Sequence, residues 1–326
     1  METQRAAEIV FDRAAKQYPG RDRPAVDDLS MEIPAGEICV LVGPSGSGKT
    51  TALKMVNGLI PLTRGDIRLD GRSIKSHDQV QLRRHIGYVI QHVGLFPHLT
   101  VGKNIAMAPK LLGWDRGRIT QRTADLLTLV GLEPSDARRY PAELSGGQRQ
   151  RVGLARALAA DPPLMLMDEP FGAIDPITRS RLQDEFLNLH RAVRKTVIFV
   201  THDIDEAIKM GSRIAIFREG GVLEQYGRPD EILADPVSDF VARFVGRDRG
   251  LKRLALRTIG EVDLNPVPAV QFTGSRYPQS AVLRDVLSEM LSNGTSEVMV
   301  VDDSGLERGV LSVDRISDLL RARTLT

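Results

Sequence analysis

Short apolar runs recur along the first two thirds of the chain and indicate the strands of a buried sheet. Residues 38–42, 164–167 and 197–200 are apolar at every position. A strand that helices cover on both faces has this composition, whereas a half-exposed strand alternates apolar and polar positions. Residues 119–130 and 147–160 are predicted to be helices. The pattern therefore predicts an α/β fold whose central strands are parallel.

Regions on either side of these runs have a different pattern. Residues 6 to about 36 alternate short apolar stretches with turn residues, which predicts antiparallel strands ahead of the central sheet. Residues 92 to about 156 are predicted to form a helical subdomain, because helical stretches there are separated only by Gly and Pro. The chain restarts after a charged, glycine-flanked segment at 246–250. The expected division is a domain of residues 1–246, a linker at 247–257 and a small α/β module at 258–326.

The stretch that follows the first buried strand is rich in glycine. It contains, in order, Gly43, Pro44, Ser45, Gly46, Ser47, Gly48, Lys49, Thr50 and Thr51. A strand, a loop of this kind and a helix form the context of a phosphate-binding P-loop, in which backbone N–H groups and the helix N-terminus face the phosphates. Lys49 would reach the β- and γ-phosphates, and the Thr50 hydroxyl would hold Mg²⁺. The alternative is a chance glycine-rich turn, and the flanking strand and helix argue against it.

Polar side chains end two of the buried strands. Asp168 and Glu169 directly follow one strand, and His202 follows another. Two adjacent carboxylates are rarely structural at such a place, because their removal from water is unfavourable unless a cation or a proton compensates. We expect Asp168 to anchor the Mg²⁺ shell, Glu169 to face the water that attacks the γ-phosphate, and His202 to reach the same edge of the sheet.

Further candidates for binding the nucleotide or its metal each have an ordinary alternative. Gln91 follows a predicted strand, where its amide could reach a metal-bound water, and it is otherwise a loop glutamine. Ser145 precedes Gly146 and Gly147 at a helix start, which predicts a second anion site, and a simple N-cap explains the serine but not the glycines. Tyr18 lies in a polar segment, where its ring stacks on a nucleotide base or is simply half exposed.

Composition narrows the class of protein. The 326 residues are 42% hydrophobic and 26% charged, as in an ordinary globular protein. The net charge of +2, from 44 basic and 42 acidic residues, gives no support to a nucleic-acid-binding surface. Cys39 is the single cysteine, so no internal disulfide is possible. No signal peptide is evident and no apolar run approaches the roughly 18 residues of a membrane span, so we expect a cytosolic protein or one that binds a membrane through partners.

Several motifs in fixed order make residues 8–246 resemble the nucleotide-binding subunit of ABC transporters. They are the P-loop, Gln91, the segment Leu144–Gln148, the strand Leu164–Glu169 and His202. The resemblance implies a P-loop NTPase core of the ABC ATPase type, with an antiparallel β-subdomain and a helical subdomain. It also implies that Gln91 belongs to the Q-loop, that Asp175 is the D-loop aspartate and that Tyr18 stacks on adenine.

The family's functional residues carry over by position. The catalytic residues that the resemblance implies are Lys49, Gln91, Glu169 and the switch histidine His202. The implied Mg²⁺ ligands are Thr50, Gln91 and Asp168. The implied ATP-binding residues are 43–51 of the P-loop, Tyr18, Asp175 and the signature residues Ser145, Gly146, Gly147 and Gln148.

Two longer segments narrow the resemblance to a subfamily. Residues 88–100 and 168–179 are similar to bacterial uptake systems for quaternary-amine osmoprotectants, which import glycine betaine, choline, carnitine or proline betaine. The module at 258–326 is similar to a CBS motif. Because CBS motifs usually occur in pairs, pairing across two chains is implied. Arg315 stands three residues after Ser312, where adenosyl-binding versions carry an acid, which argues against nucleotide binding by the module.

The resemblance implies an ATPase subunit, peripheral to the cytoplasmic face of the membrane, that energises an importer. We expect two chains to pair head to tail, so that Lys49 of one and Ser145 of the other clamp each γ-phosphate. We also expect permease subunits to dock near residues 91–101, an extracytoplasmic substrate-binding protein to take part indirectly, and no nucleic acid to be bound. The apolar residues expected to be exposed for docking, rather than part of the helical core, are Leu95, Phe96 and Leu99.

Other functions stay open at this point. A mechanical ABC-type ATPase that acts on DNA or ribosomes usually carries coiled-coil insertions or two fused cassettes, whereas this chain has one P-loop, one signature and no sustained heptads. A P-loop kinase has no use for the signature or the switch histidine. An importer for a different small solute, or a ligand sensor built on the C-terminal module with the ATPase as its output, would retain the same ATP site.

Overall fold

The structure is a computed structural model that describes residues 5–90, 94–172, 174–267 and 272–321. The chain forms two compact units, Met1–Tyr226 and Gly227–Thr326, and each is described by itself. The domain boundaries expected at 246 and 258 stay predictions, as does the CBS-like identity of the C-terminal module.

The first unit contains both strands and helices. Its strands are β1 (Ile9–Lys16), β2 (Val26–Ile33), β3 (Ile38–Val42), β4 (Arg64–Leu69), β5 (Arg72–Ser73), β6 (Ile86–Val89), β7 (Leu164–Asp168), β8 (Thr196–Thr201), β9 (Arg213–Arg218) and β10 (Val222–Gly227). Its helices are α1 (Lys49–Val56), α2 (Gln79–Arg84), α3 (Val101–Ile105), α4 (Met107–Leu111), α5 (Arg116–Leu129), α6 (Gly146–Leu158), α7 (Pro176–Val193) and α8 (Ile204–Met210).

The central sheet has the strand order β10-β9-β3-β8-β7-β6. β3 lies between β8 and β9 and is parallel to both, and β7 is likewise parallel to β6 and β8. Every residue of β3 and β8 is buried, as expected for parallel strands that are covered on both faces. The predicted parallel sheet is therefore confirmed, and the carboxyl ends of β3, β7 and β8 meet at one edge.

A second sheet precedes the central one and has the order β2-β1-β4-β5. β1 is antiparallel to both β2 and β4, which confirms the predicted antiparallel strands. Along β2 buried and exposed residues alternate, so one face packs inward. Side chains from both sheets and from α1, among them Phe11, Leu29, Leu41 and Leu53, form one apolar core.

Helices α3 to α6 form the predicted helical region. The loop that precedes α3 is held by the buried Asn104, whose Nδ2 donates to the carbonyl oxygens of Phe96, Leu99 and Thr100. Its Oδ1 accepts from the N–H of Phe96 at 2.8 Å. Of the apolar residues expected at the surface of this loop, Phe96 is exposed, whereas Leu95 and Leu99 are only half exposed.

The second unit is a smaller α/β assembly. Its elements are α9 (Pro229–Ala234), α10 (Asp239–Val245), α11 (Arg249–Ala255), β11 (Arg276–Pro278), α12 (Leu283–Ser292), β12 (Glu297–Val301), β13 (Glu307–Ser312) and α13 (Val313–Arg321). β12 is parallel to β11 and antiparallel to β13, and α12 and α13 pack on an apolar core with them. Arg315 donates from Nε to Oδ1 of Asn265 at 3.0 Å.

Across both units, none of the described helices combines the length and apolar composition needed to cross a membrane.

Candidate active site

The loop between β3 and α1 requires glycine at two positions. Gly48, the N-cap of α1, has a φ of +89°, and a Cβ there would lie 2.0 Å from the carbonyl oxygen of Ala25. Gly43 has a φ of +153°, and a Cβ there would lie 2.2 Å from the carbonyl oxygen of Phe217. Because Gly48 has no side chain to cap α1, the first N–H groups of this helix are left for an anion.

Lys49 is the cation of this loop. Its side chain is buried, and its Nζ donates to the carbonyl oxygens of Gly43 and Pro44, both at 2.8 Å. Burial lowers the pKa of Lys49, and the nearby carboxylates Glu169 and Asp168 oppose that shift. A phosphate would provide the ammonium group with an anionic partner in place of neutral carbonyl groups.

Asp168 ends β7 beside the P-loop helix. The Thr50 hydroxyl donates to Oδ1 of Asp168 at 2.9 Å. Burial raises the pKa of Asp168, while the hydrogen bond from Thr50 and the charge of Lys54 lower it. A carboxylate and a hydroxyl are oxygen ligands that suit Mg²⁺, and a bound cation would stabilise the ionised form of Asp168. Among the described residues, no group of three or more His, Cys, Asp and Glu side chains is placed to hold a metal ion.

Glu169 and His202 come together from neighbouring strands. Glu169 follows β7 with a φ of +45°, which is uncommon outside glycine, and its N–H donates to the carbonyl oxygen of Val200 at 3.0 Å. Nδ1 of His202, directly after β8, lies 3.3 Å from Oε1 of Glu169. The His202 side chain is 61% exposed and that of Glu169 24%. Both groups can therefore reach a substrate at the sheet edge.

The loop and Glu169 line the same cavity, which has a volume of about 270 Å³. Its lining residues are Ala25, Ser45, Gly46, Ser47, Gly48, Lys49, Thr50, Thr51 and Glu169. Tyr18 is not among them. The residue is 36% exposed, and Nζ of Lys16 lies 5.2 Å from the centroid of its ring. The structure thus places the phosphate loop beside a carboxylate, and the contact between Tyr18 and a base stays a prediction.

The segment 144–148 forms a separate helix start. Ser145 is the N-cap of α6, and its Oγ accepts from the N–H of Gln148 at 3.2 Å while Oε1 of Gln148 accepts from the N–H of Ser145 at 2.9 Å. A second cavity of about 650 Å³ lies here. Its lining residues are Ser145, Gly146, Gly147, Gln148, Arg151, Ile174, Asp175, Thr178 and Arg181. None of them lines the first cavity, so each cavity contains one of the two segments that are predicted to bind an anion.

The remaining candidate residues are Gln91 and Asp175, and the second cavity adds two arginines. Gln91 lies outside the described residues, and its assigned roles stay predictions. Asp175 is the N-cap of α7, and its carboxylate accepts from the N–H of Thr178 at 3.0 Å. The cations Arg151 and Arg181 of the second cavity were not foreseen. Arg151 follows Gly147 by one helical turn, so the helical period could have placed it on the same face.

Comparisons with known proteins agree with this geometry. A family model described as ABC transporter matches residues 26–172. The chain is 43% identical to the osmoprotectant import ATP-binding protein OsmV of Salmonella typhimurium, with 96% of each chain covered. It is 45% identical to the glycine betaine/carnitine/choline transport ATP-binding protein OpuCA of Bacillus subtilis, which covers 94% of this chain and 79% of the relative.

A solved structure extends the comparison to the reaction. It is the dimeric post-hydrolysis state of an ATP-binding cassette bound to ADP and Pi, with 33% identity and a TM-score of 0.59. The match covers 68% of this chain and 98% of that one. The predicted fold of the ATPase core is confirmed by these similarities. The chain belongs to the ABC transporter family, as an ATP-binding protein that hydrolyses ATP.

Proposed function

We propose that the chain is the ATPase subunit of a membrane importer for quaternary-amine osmoprotectants such as glycine betaine, choline or carnitine. The observation that carries the substrate class is the extent of the similarity. The osmoprotectant import protein of Salmonella typhimurium matches 96% of this chain, so the likeness includes the C-terminal module as well as the cassette. The Bacillus subtilis relative is named for transport of glycine betaine, carnitine and choline.

The residues around the first cavity supply the hydrolytic chemistry in this proposal. Lys49 exchanges the carbonyl oxygens that it contacts for the β- and γ-phosphates of ATP. Glu169 accepts a proton from the attacking water, a role that contributes roughly 10²–10⁴ in rate. His202, 3.3 Å from Glu169, holds the water and the γ-phosphate in line. Tyr18 stacks on the adenine ring.

Thr50 and Asp168 are the residues that would hold Mg²⁺, with Gln91 as a further ligand. Their close hydrogen bond and the raised pKa of the buried Asp168 support this assignment, because a cation would stabilise the carboxylate. Bound Mg²⁺ would neutralise negative charge on the phosphate oxygens.

We further propose that two chains assemble head to tail around ATP. The P-loop of one chain and Ser145, Gly146 and Gly147 of the other then hold the γ-phosphate between them. The absence of shared lining residues between the two described cavities supports a site completed by a second copy. The dimeric state of the similar cassette bound to ADP and Pi supports it as well. Asp175 lies on the signature side of this interface.

The permease is proposed to dock on a groove near residues 91–101. A cavity of about 540 Å³ lies between α2, β6, α4 and α6, and Tyr88, Phe96 and Leu111 are among its lining residues. Ile90, Phe96 and Leu111 at this groove are 39%, 40% and 56% exposed. An apolar groove of this kind would accept an apolar segment of a membrane subunit. Such docking places the chain at the cytoplasmic face of the membrane, where a substrate-binding protein takes part only indirectly.

Uptake measurements on the assembled transporter test the proposal. The tagged chain is used to purify its membrane partner, and the complex is placed in vesicles with ATP on the side of this subunit. Labelled glycine betaine should accumulate, and unlabelled choline or carnitine should compete with it. Purification of a membrane partner without quaternary-amine uptake would indicate an importer for a different solute. Failure to retain any membrane partner would favour a mechanical ATPase.

A further inference from the structure

A further cavity of the first unit lies among α5, α6, α7 and the strands β6 and β7. We call it the α6–α7 cavity. Its volume is about 440 Å³, within the range of roughly 300–1,000 Å³ that is usual for small-molecule sites. Most of its wall is apolar. Among the side chains that line it are Val89, Val130, Leu154, Met167, Phe171 and Phe186.

The apolar wall includes side chains that suit an aromatic ligand. Phe171 and Phe186 are 5% and 4% exposed, and Met167 contributes a thioether. Aromatic rings and thioethers form favourable contacts with another ring. Leu154 of α6 also lines the cavity, and it is only half-buried although Val152 and Ala155 on the same helix are buried. The cavity thus offers apolar surface that the protein itself does not fully cover.

The charged side chains among the described lining residues are Arg151 and Glu185, and they pair with each other. Nη2 of Arg151 lies 2.6 Å from Oε1 of Glu185, so the pair joins α6 to α7. Nη1 of Arg151 donates to the carbonyl oxygen of Gly131 at 3.1 Å. Because the two charges neutralise one another, the cavity favours an uncharged ligand over an ion.

Two further polar side chains of the wall have partners within the protein. The Thr128 hydroxyl donates to the carbonyl oxygen of Ala124 at 3.2 Å. Oδ1 of Asn188 accepts from Nη1 of Arg191 at 3.0 Å. Neither contact calls for a ligand.

Gln150 differs from these polar residues. It lines the cavity, it is 7% exposed, and its buried Nε2 has no hydrogen-bond partner among the described residues. Buried polar groups are nearly always hydrogen-bonded, since a donor that is removed from water without a partner is destabilising. An acceptor atom on a molecule that occupies the cavity would provide this partner.

We propose that the α6–α7 cavity binds a small, uncharged aromatic molecule that carries one hydrogen-bond acceptor, such as the carbonyl of a ketone or amide. Its rings lie against Phe171 and Phe186, and its carbonyl oxygen accepts from Nε2 of Gln150. The inference goes beyond the proposed function, because neither the importer nor the shared ATP site enters the argument.

Binding of a neutral dye to the full chain provides the first test. Prodan is an uncharged naphthalene dye with a ketone, and its emission shifts to the blue when it leaves water. Wild-type protein should give a saturable blue shift with one site per chain. Leu154→Trp should abolish the shift because the larger side chain fills the cavity, whereas Leu306→Trp, at an exposed residue of the second unit, is the matched control. If Leu154→Trp does not fold, Leu129→Trp, at a lining residue that is 42% exposed, replaces it.

Competition between two matched compounds tests the hydrogen bond from Gln150. Acetylnaphthalene carries a ketone and ethylnaphthalene does not, so the ratio of their affinities, measured by displacement of Prodan, reports on the carbonyl. Gln150→Met keeps the length of the side chain and removes the donor. It should shift that ratio against acetylnaphthalene by roughly 2- to 10-fold, as expected for one hydrogen bond.

Three outcomes would overturn the inference. The absence of saturable Prodan binding to the wild type would indicate a cavity that holds only water. Binding that persists in Leu154→Trp or Leu129→Trp would place the dye elsewhere on the chain. An affinity ratio that is the same in the wild type and in Gln150→Met would refute the contact between Gln150 and the carbonyl.

Discussion

The helix starts of α1 and α6 are both predicted to face an anion, yet they satisfy their own backbone groups differently. At α1 the N-cap is Gly48, which offers no side chain, and the following residue is the buried cation Lys49. At α6 the N-cap is Ser145, which forms a reciprocal pair of hydrogen bonds with Gln148. One start therefore leaves its N–H groups open, and the other caps itself.

This difference indicates that the starts of α1 and α6 contribute differently to ATP binding. The start of α1 combines open N–H groups, a lysine and a nearby carboxylate for a cation, so it can bind a nucleotide within one chain. In the proposed assembly, the start of α6 exchanges a hydrogen bond of Ser145 for a phosphate of a nucleotide that is already bound to another chain.

The largest expected effect concerns the step after binding. Glu169→Gln should keep ATP affinity, because the start of α1 is unchanged, and should lower phosphate release by roughly 10²–10⁴ because the general base is lost. Phosphate release and fluorescent-nucleotide binding measure the two properties separately. Release at the wild-type rate would remove Glu169 from the base role.

A substitution that obstructs the self-capped start of α6 should lower ATP turnover without changing ATP affinity. Ser145→Arg places a long cation where the partner's phosphate would approach, so ATPase activity should fall by about 10² or more while ATP affinity is retained. Ser145→Ala separates the two causes of a loss, since it removes the hydroxyl and its cap, at about 1 kcal/mol of stability, without filling the space. Unaltered activity in Ser145→Arg would contradict a shared site.

Removal of the cation from the open start should affect binding itself. Lys49→Ala deletes a charge-assisted contact worth about 1.5–3 kcal/mol, so the Kd for ATP should rise by roughly 10- to 150-fold. Titration calorimetry with Mg-ATP measures this change, and Lys75→Ala at an exposed site is the control. If Lys49→Ala kept its affinity while Ser145→Arg lost it, the division between the two starts would be reversed.

The smallest effect concerns Glu206, a buried acid of α8 whose Oε1 accepts from Nε2 of Gln183 on α7 at 2.9 Å. Because burial raises the pKa of Glu206, the folded chain holds this proton more tightly than the unfolded chain does. The resulting stability is present below the ordinary glutamate pKa and is lost as pH rises through the folded value. The unfolding free energy of the wild type should therefore fall relative to that of Glu206→Gln as pH rises above the ordinary glutamate pKa of about 4.3. Denaturant unfolding at several pH values measures this difference, and a constant difference would refute the shift.

Much of the fold follows from local sequence. The strands β3, β7 and β8 are apolar throughout, and this composition is what burial on both faces demands. The long helix α7 was not predicted, although Asp175 and Pro176 form a common N-terminal signal. The three-residue strand β11 was also missed, because its side chains are mostly exposed and form no apolar run.

Some features of the candidate site could likewise be predicted from local sequence, and others could not. The P-loop, Asp168 and Glu169 are adjacent in sequence to the strands that place them, so their convergence could be predicted. The contact between Gln183 and Glu206 joins residues from different helices, and neither belongs to a recognisable motif. Nor could the positive φ of Glu169 be predicted, because that conformation is imposed by its surroundings rather than by its own side chain.

The central claim is that ATP is held between the open start of α1 in one chain and the self-capped start of α6 in another. Light scattering of Glu169→Gln in saturating Mg-ATP tests it most directly, with the Glu169→Gln, Ser145→Arg double variant as the matched control. We predict twice the mass of one chain for the single variant, and the mass of one chain for the double variant and for either protein without nucleotide. A single variant that stays monomeric, or a double variant that dimerises equally well, would contradict the claim.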